Sequence, residues 1–252
     1  MYTSINYLKI NYEVLGDGEP ILLLHGWGGS IESLISLGRN LKDKGFKVYL
    51  LDLPGFGKSD KPKRPFSLDD YAEITEKFLE KQKVHSLYVF GHSFGGSVAI
   101  KLVLRKNLGI RKLVLCNSSG IRTVQGSKLK TLGGIVKKIF SLPILETLYP
   151  SLRKAFYYYI LRSRDYIDHQ EIATTFRKVV AEDLTPQLKD IDIPVFLLWG
   201  EKDRDTPVSH AIVMHTEIKG SKLEVIEEVG HGLPKFEPEL VSEKVGLFIR
   251  EK

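Results

Sequence analysis

The chain has 252 residues, of which 42% are hydrophobic, a net charge of +6 and a single cysteine. This length and composition allow one main α/β domain with a sizeable core, and the single cysteine excludes a disulfide within the chain. No apolar run approaches the roughly 18 residues that cross a bilayer, and the start lacks a charged segment followed by an apolar one. We therefore expect a cytoplasmic protein without stable membrane insertion. Cys116 ends the apolar run KLVLC and is predicted to be a buried structural thiol.

Alternating strand and helix patterns follow along the chain. Six segments are apolar throughout, which favours strands buried on both faces: 20–26, 47–55, 86–93, 112–118, 194–200 and 222–230. The segment INYLKINYEVLGDGEP (5–20) alternates instead and predicts an antiparallel hairpin at the start of the sheet. Helices are predicted at 32–44, 67–82 with Ser67 as N-cap, 95–106, 208–215 and 237–250. The pattern predicts the α/β class, with a mostly parallel, doubly wound sheet whose functional groups gather at the carboxyl ends of the strands.

One connection is far longer than a crossover needs. Roughly 75 residues with helical patterns of their own separate VLCNS from IPVFLLWG. We interpret 119–187 as a helical cap inserted into a core domain formed by 1–118 and 188–252. Eleven Lys and Arg against six Asp and Glu give 118–187 a net charge of +5. This charge indicates a solvated helical face, with attraction of anionic substrates or surfaces as the alternative.

The segment VFGHSFGGS (89–97) contains the pattern Gly-x-Ser-x-Gly, with Ser93 at its centre. It follows an apolar strand and precedes a helical segment, the context in which this pattern forms a sharp strand-to-helix turn. Gly91 and Gly95 are the small neighbours that such a turn requires. The turn would raise Ser93 Oγ above the sheet, and the N-terminus of the helix would favour developing negative charge. We therefore predict that Ser93 is a nucleophile.

A serine hydroxyl needs a base to react near neutral pH. His231 is the preferred base, because its glycine-flanked loop EEVGHGLPKFEPE comes just after the last predicted strand. His25 and His92 adjoin other motifs. The remaining histidines lie in helical or linking polar segments and are expected at the surface: His85, His169, His210 and His215.

The base in turn needs a carboxylate that holds its tautomer. The loop EKDRDTP offers Asp203 and Asp205, either of which could orient His231. Asp52 also ends a strand, but the Pro-Gly-x-Gly that follows it suggests that it braces a loop.

A tetrahedral intermediate needs donors for its oxyanion. The amide of Phe94, directly after the nucleophile, is one candidate. The loop HGWGGS offers the amide of Trp27 as the second. A phosphate-binding loop is the alternative for these glycines, but neither glycine-rich phosphate motif is present at these positions.

The motifs LLLHGWGG, DLPGFGKSD, GHSFGG, LWGEKDRDTP and GHGLPKFEPE stand in the order and at the spacing of the α/β-hydrolase superfamily. The chain resembles its capped single-domain esterases and their carbon–carbon-bond hydrolase and aminopeptidase relatives, over nearly all of its length outside the cap. The resemblance implies that the acid is Asp203, three residues beyond the Trp-Gly turn, and not Asp205. It also implies that His25 and Gly26 shape the oxyanion loop, with Trp27 supplying the amide.

The resemblance implies a serine carboxylesterase that acts on small or medium esters through an acyl-enzyme. Carbon–carbon-bond hydrolases often carry a tryptophan after the catalytic histidine, whereas Gly232 and Leu233 stand here, and Phe94 replaces the tryptophan of the proline-directed aminopeptidase elbow. Hydrolysis of vinylogous diketones at a carbon–carbon bond is the enzyme alternative. A slow-turnover small-molecule receptor on the same fold is another.

The expected partner is a small-molecule ester, with neither metal nor organic cofactor. No nucleic-acid motif accompanies the basic segment, so no nucleic-acid partner is expected. Attachment of the basic cap to an anionic lipid surface is a third hypothesis. The sequence indicates no particular oligomeric state.

Overall fold

The computed structural model describes residues 1–122 and 170–251. Its centre is an eight-stranded sheet with the order β1-β2-β4-β3-β5-β6-β7-β8. The strands are β1 Tyr2–Ile5, β2 Leu8–Leu15, β3 Glu19–Leu24, β4 Phe46–Leu51, β5 Ser86–His92, β6 Gly109–Cys116, β7 Val195–Gly200 and β8 Lys222–Ile226. Along this order, β1 pairs antiparallel with β2 and β2 pairs antiparallel with β4, whereas all neighbouring strands from β4 to β8 pair in parallel. The predicted mostly parallel α/β sheet is therefore confirmed.

Helices cover both faces of the sheet. They are α1 Ile35–Asp43, α2 Leu68–Lys81, α3 Phe94–Leu104, α4 Gln170–Ala181, α5 Val208–Glu217, α6 Leu233–Phe236 and α7 Pro238–Arg250, with 3-10 turns at Ile31–Ser33 and Thr185–Asp190. The apolar sides of α2, α3 and α5 pack on one face of the sheet, and those of α1 and α7 pack on the other. A sheet covered on both sides needs strands that are apolar throughout, which is why all six residues of β7 are buried.

The predicted hairpin is present, but its turn comes early. The chain reverses between β1 and β2 at Asn6 and Tyr7, whose φ angles are 46° and 69°. β2 then pairs with β4, and the Gly-Asp-Gly segment leads into β3. At the predicted N-cap of α2, the Ser67 hydroxyl accepts a hydrogen bond from the Asp70 amide at 3.2 Å.

Most of the predicted cap lies outside the described residues, since only 119–122 and 170–187 of it are included. The division into core and cap therefore stays a prediction. Cys116 is fully buried at the end of β6, and burial raises the pKa of its thiol. Among the described helices, none is both long enough and apolar enough to cross a bilayer.

Candidate active site

Loops at the carboxyl edge of the sheet bring together residues that are far apart in sequence. Ser93 directly follows β5, Asp203 follows β7 by three residues, and His231 follows β8 by five. Because parallel strands end at one edge, the three side chains meet there.

Ser93 stands on a strained turn between β5 and α3. Its φ and ψ angles are 52° and −120°, a conformation that residues with a Cβ rarely adopt. The turn is held by hydrogen bonds from the Ser93 amide to the Cys116 carbonyl at 3.1 Å and from the Ser119 amide to the Ser93 carbonyl at 3.0 Å.

Two glycines allow this turn to pack. A Cβ on Gly91 would lie 2.5 Å from the carbonyl oxygen of Gly95, and one on Gly95 would lie 2.3 Å from that of Leu24. Both contacts are with backbone, so a side chain at either position would push the turn out of place.

A continuous hydrogen-bonded chain joins the three predicted residues. Ser93 Oγ lies 2.9 Å from His231 Nε2, and His231 Nδ1 lies 2.8 Å from Asp203 Oδ2. A carboxylate accepts hydrogen bonds only, so Nδ1 carries the proton and Nε2 is left free to accept the hydroxyl proton of Ser93. The arrangement suits transfer of that proton from serine to histidine.

Asp203 is held as an anion by several donors. Its Oδ1 accepts the amides of Asp205 and Thr206, each at 2.9 Å, and its Oδ2 accepts Asn117 Nδ2 at 2.6 Å. Burial alone would raise the pKa of Asp203, but its hydrogen bonds with His231 and Thr206 and the charge of His231 together hold that pKa below its usual value. Asp205 contributes its amide to this site, and Asp203 is the carboxylate that contacts the histidine.

His92 supports the loop that carries His231. Its Nε2 lies 2.8 Å from the carbonyl oxygen of His231, and the two rings are 5.0 Å apart. Burial, followed by the charge of His231, lowers the pKa of His92 to about 4. The imidazole of His92 is therefore neutral at pH 7, and it donates Nε2–H to that carbonyl.

The loop after β3 passes directly beside the serine. A Cβ on Gly26 would lie 3.2 Å from Ser93 Cβ, so only glycine brings the backbone this close without displacing a neighbour. His25 fixes the loop, because its Nδ1 donates to the Gly26 carbonyl at 2.8 Å and its Nε2 accepts the Leu53 amide at 3.0 Å. Burial lowers the pKa of His25, which favours the neutral ring that these two bonds require.

The predicted oxyanion amides flank Ser93 along the chain fold. Trp27 follows Gly26, and Phe94 is the first residue of α3. Within residues 1–122 and 170–251, neither amide donates to a backbone carbonyl. The rings of Trp27 and Phe94 meet edge to face at 5.2 Å, which fixes the two segments relative to each other.

Asp52 braces the neighbouring loop, as predicted. Its Oδ1 accepts the Ile31 amide at 2.7 Å, and its Oδ2 accepts the Lys58 amide and Asn11 Nδ2, both at 2.8 Å.

A cavity of about 500 Å³ opens beside Ser93. The described part of its lining includes six large apolar side chains: Trp27, Phe94, Ile121, Phe176, Val179 and Val180. The charged residues in this described part are Arg204, Glu182 and Asp205. The described wall therefore suits an apolar group and carries no excess of positive charge.

Sequence reasoning missed two side chains that hold the acid. Asn117 follows β6 and is fully buried; its Nδ2 donates to Asp203, and its Oδ1 accepts the Gly200 amide at 3.0 Å. The Thr206 hydroxyl lies 2.8 Å from Asp203 Oδ2. Asn117 could have been found as a polar residue at a strand end, in VLCNS. Thr206 could have been found from its place in EKDRDTP, the loop that carries Asp203.

The expectation that His210 lies at the surface is wrong. It stands in the first turn of α5, is only 8% exposed and lines the cavity. His85 and His215 are exposed as expected, whereas His169 lies outside the described residues.

A metal ion is the alternative use of part of this site. Asp203, Asp205 and His231 present possible ligand atoms within 4.8 Å of one another. Both oxygens of Asp203 already accept hydrogen bonds, and one of these comes from His231. A metal would have to displace these donors, so we assign Asp203 and His231 to the hydrogen-bonded chain.

Comparison with known proteins agrees with this arrangement. The alpha/beta hydrolase fold family matches residues 19–134. The AB hydrolase superfamily protein YisY of Bacillus subtilis is 27% identical over 265 residues, covering 96% of this chain and 96% of that protein. The 2-hydroxy-6-oxononadienedioate/2-hydroxy-6-oxononatrienedioate hydrolase of Klebsiella pneumoniae is 27% identical over 244 residues, covering 89% and 85%.

A solved structure is also similar over the whole chain. The structure of a membrane phospholipase A, a bacterial virulence factor, matches with a TM-score of 0.79 and 25% identity, and the match covers 99% of this chain and 84% of that one. A parallel sheet with serine, histidine and aspartate placed in this way defines a hydrolase. The chain therefore has the α/β-hydrolase fold.

Proposed function

We propose that the protein hydrolyses small or medium carboxylic esters through an acyl-enzyme, with Ser93 as nucleophile, His231 as base and Asp203 as the group that orients the base. The observation that carries this proposal is the 2.9 Å contact between Ser93 Oγ and His231 Nε2, backed by Asp203 at 2.8 Å. A serine at this turn favours attack on an acyl carbon.

The reaction follows from these contacts. Ser93 Oγ attacks the ester carbonyl carbon while its proton passes to His231 Nε2. The tetrahedral intermediate collapses when His231 returns this proton to the leaving alcohol oxygen, which breaks the ester bond and leaves the acyl group on Ser93. A water molecule that gives a proton to His231 Nε2 then attacks the acyl carbon. The bond between Ser93 Oγ and the acyl carbon breaks as His231 returns this proton to Ser93 Oγ, which releases the carboxylic acid. Asp203 stabilises the imidazolium that forms in both halves.

The amides of Trp27 and Phe94 would stabilise the negative oxygen of the intermediate. Each such donor is typically worth about 2.7 to 4 kcal/mol in the transition state. The approach of the Gly26 backbone to Ser93 and the absence of a backbone acceptor for either amide within the described residues support this role.

The described part of the cavity wall favours an ester over a dicarboxylate. Among the described lining residues, the one permanent cation is Arg204, against the two acids Glu182 and Asp205. This part of the wall therefore offers a substrate with two carboxylates little positive charge to compensate its desolvation. The apolar remainder of the wall suits an uncharged acyl or alcohol chain. The name of the phospholipase A whose structure is similar points to ester chemistry as well.

The test is hydrolysis of a chain-length series of 4-nitrophenyl esters by the wild type and by Ser93→Ala. We expect kcat to fall on the order of 10⁴-fold or more in the variant. Ser36→Ala, at an exposed serine on α1, is the matched control and should retain full activity. Equal rates in wild type and Ser93→Ala would overturn the proposal.

Hydrolysis of a carbon–carbon bond beside a ketone is the second candidate, because one relative is named as a 2-hydroxy-6-oxononadienedioate hydrolase. The two reactions release different products, so mass analysis after incubation with a vinylogous diketone separates them. Cleavage of the diketone with kcat/KM above that for every ester in the series would favour this candidate.

A further inference from the structure

His210 is a buried imidazole that the proposed mechanism does not use. It is 8% exposed, and it lines the cavity beside Ser93 together with Thr206 and His231. Its Nδ1 is sealed from solvent and has no hydrogen-bond partner among the residues that the structure describes. An unpaired buried polar atom costs free energy and therefore calls for an explanation in the function of the site.

The buried nitrogen determines which atom of the ring carries the proton. A proton on Nδ1 would leave a buried N–H without an acceptor, and in protein backbones buried N–H groups are left unpaired less often than buried acceptors are. A proton on Nε2 leaves Nδ1 as an unpaired acceptor, which is more easily tolerated. Burial also lowers the pKa of His210, which favours the neutral ring. The side chain is thus a neutral imidazole with an Nε2–H donor, and no described residue accepts that hydrogen bond.

Position in the cavity indicates which part of a substrate His210 would meet. His210 belongs to the part of the cavity wall that is formed by the loop after β7 and the first turn of α5. The same loop carries Asp203, which contacts His231, and Thr206, which contacts Asp203. In the proposed reaction, His231 gives its proton to the leaving alcohol oxygen, so the alcohol part of the ester lies on the His231 side. Apolar residues of α4 also line the cavity.

We infer that His210 is a specificity-determining residue that donates a hydrogen bond from Nε2 to an acceptor oxygen on the alcohol part of the substrate. The preferred substrates are then esters whose alcohol carries an ether, carbonyl or hydroxyl oxygen beyond the ester bond. This inference rests on the proposed ester hydrolysis. It adds the substrate class, because a site built to hydrogen-bond an oxygen discriminates against an analogue that lacks one.

The test exchanges one oxygen for a methylene group in esters of equal length. 2-Methoxyethyl butyrate and n-butyl butyrate differ in this way on the alcohol side, and butyl 3-methoxypropanoate and butyl pentanoate differ in this way on the acyl side. For each pair, the ratio of kcat/KM for the oxygen ester to that for the methylene ester is measured in wild type and in His210→Leu. We expect His210→Leu to lower the alcohol-side ratio by about fivefold to tenfold and to leave the acyl-side ratio unchanged.

Two further variants distinguish hydrogen bonding from packing. His210→Gln retains an N–H donor and should restore part of the alcohol-side ratio. His215→Leu changes an exposed histidine on the same helix and should leave both ratios at their wild-type values. His210→Leu should unfold at the same or a higher urea concentration than wild type, because it removes an unpaired buried group. An alcohol-side ratio that is equal in wild type and His210→Leu overturns the inference, as does a change confined to the acyl side.

Binding separates failure of this inference from failure of the proposed function. If wild type hydrolyses none of the four esters, the ester proposal fails. The role of His210 is then decided by calorimetric Kd values for 2-methoxyethyl butyrate and n-butyl butyrate, measured with Ser93→Ala and with the double variant that adds His210→Leu. A fivefold or greater loss of preference for the methoxy ester in the double variant supports it. Equal preference, or no binding of either ester, overturns it.

Discussion

Asn117 provides the sharpest quantitative prediction, because its side chain joins three loops of the site. Its Nδ2 lies 2.6 Å from Asp203 Oδ2 and 3.1 Å from the Gly230 carbonyl, and its Oδ1 accepts the Gly200 amide at 3.0 Å. The residue is fully buried and has a φ of 46°, a conformation that asparagine tolerates better than alanine does.

Replacement of Asn117 by alanine removes these bonds and adds backbone strain. The Gly200 amide is left unpaired inside the protein, which costs about 1 to 3 kcal/mol, and the lost bond to the Asp203 carboxylate costs about 1.5 to 3 kcal/mol. With about 1 kcal/mol for the left-handed backbone, Asn117→Ala should lower the free energy of unfolding by about 3.5 to 7 kcal/mol. Because Asp203 loses a fixed donor, kcat/KM should also fall by about tenfold to a hundredfold.

Asn117→Gly is the matched variant, since it removes the same hydrogen bonds without the penalty at positive φ. We expect it to be about 1 kcal/mol more stable than Asn117→Ala and equally impaired in kcat/KM. Urea unfolding followed by tryptophan fluorescence and steady-state ester hydrolysis measure the two effects. Wild-type stability and wild-type kcat/KM in both variants would refute the reasoning.

Three further predictions concern the acid of the site, the turn that carries Ser93 and the N-terminus of α2. Asp203→Asn should lower kcat on the order of 10⁴-fold while Asp205→Asn stays within about threefold of wild type, and comparable losses in both would refute the assignment of the acid. Gly95→Ala should abolish activity and lower the urea midpoint of unfolding, since its Cβ would lie 2.3 Å from a backbone oxygen. The control Gly246→Ala in α7, whose Cβ would have its nearest contact at 3.5 Å, should stabilise the folded protein by up to about 1 kcal/mol. A fully active Gly95→Ala enzyme would contradict this prediction. Burial would raise the pKa of Asp70, but its ion pair with Arg64 and its hydrogen bonds with Ser67 lower that pKa to about 2. Asp70 therefore stabilises the folded state above its unfolded pKa of about 4 and loses this effect as pH falls toward 2. Asp70→Asn should therefore be about 1 to 2 kcal/mol less stable than wild type at pH 6 and nearly equal to it at pH 2, as measured by urea unfolding at the two values.

The strands were predictable because a sheet covered on both faces leaves a simple signature. Every predicted apolar segment overlaps an observed strand, but the segment 222–230 yields only Lys222–Ile226. This strand lies at the edge of the sheet, where Val225 is 37% exposed. A longer strand at this edge would bury little additional apolar surface. The remaining residues of the segment form the loop that carries His231.

The hydrogen-bonded chain was predictable because each member follows a strand within a recognisable motif. The residues that support it were not, since their role depends on contacts between distant loops. Asn117 meets Asp203 across 86 positions of sequence, and nothing near Asn117 indicates its partner. His210 was misplaced because nothing in the helical segment 208–215 indicates that its first turn lines the cavity.

The most direct test of the central claim is detection of the acyl group on Ser93. Wild-type protein is mixed with 4-nitrophenyl butyrate, quenched in acid within the first turnover and digested, and the peptide containing Ser93 is analysed by mass spectrometry. The proposed mechanism requires a butyryl group on Ser93 in the wild type and none in Ser93→Ala. Ester turnover without this adduct, or an adduct on another residue, would contradict it.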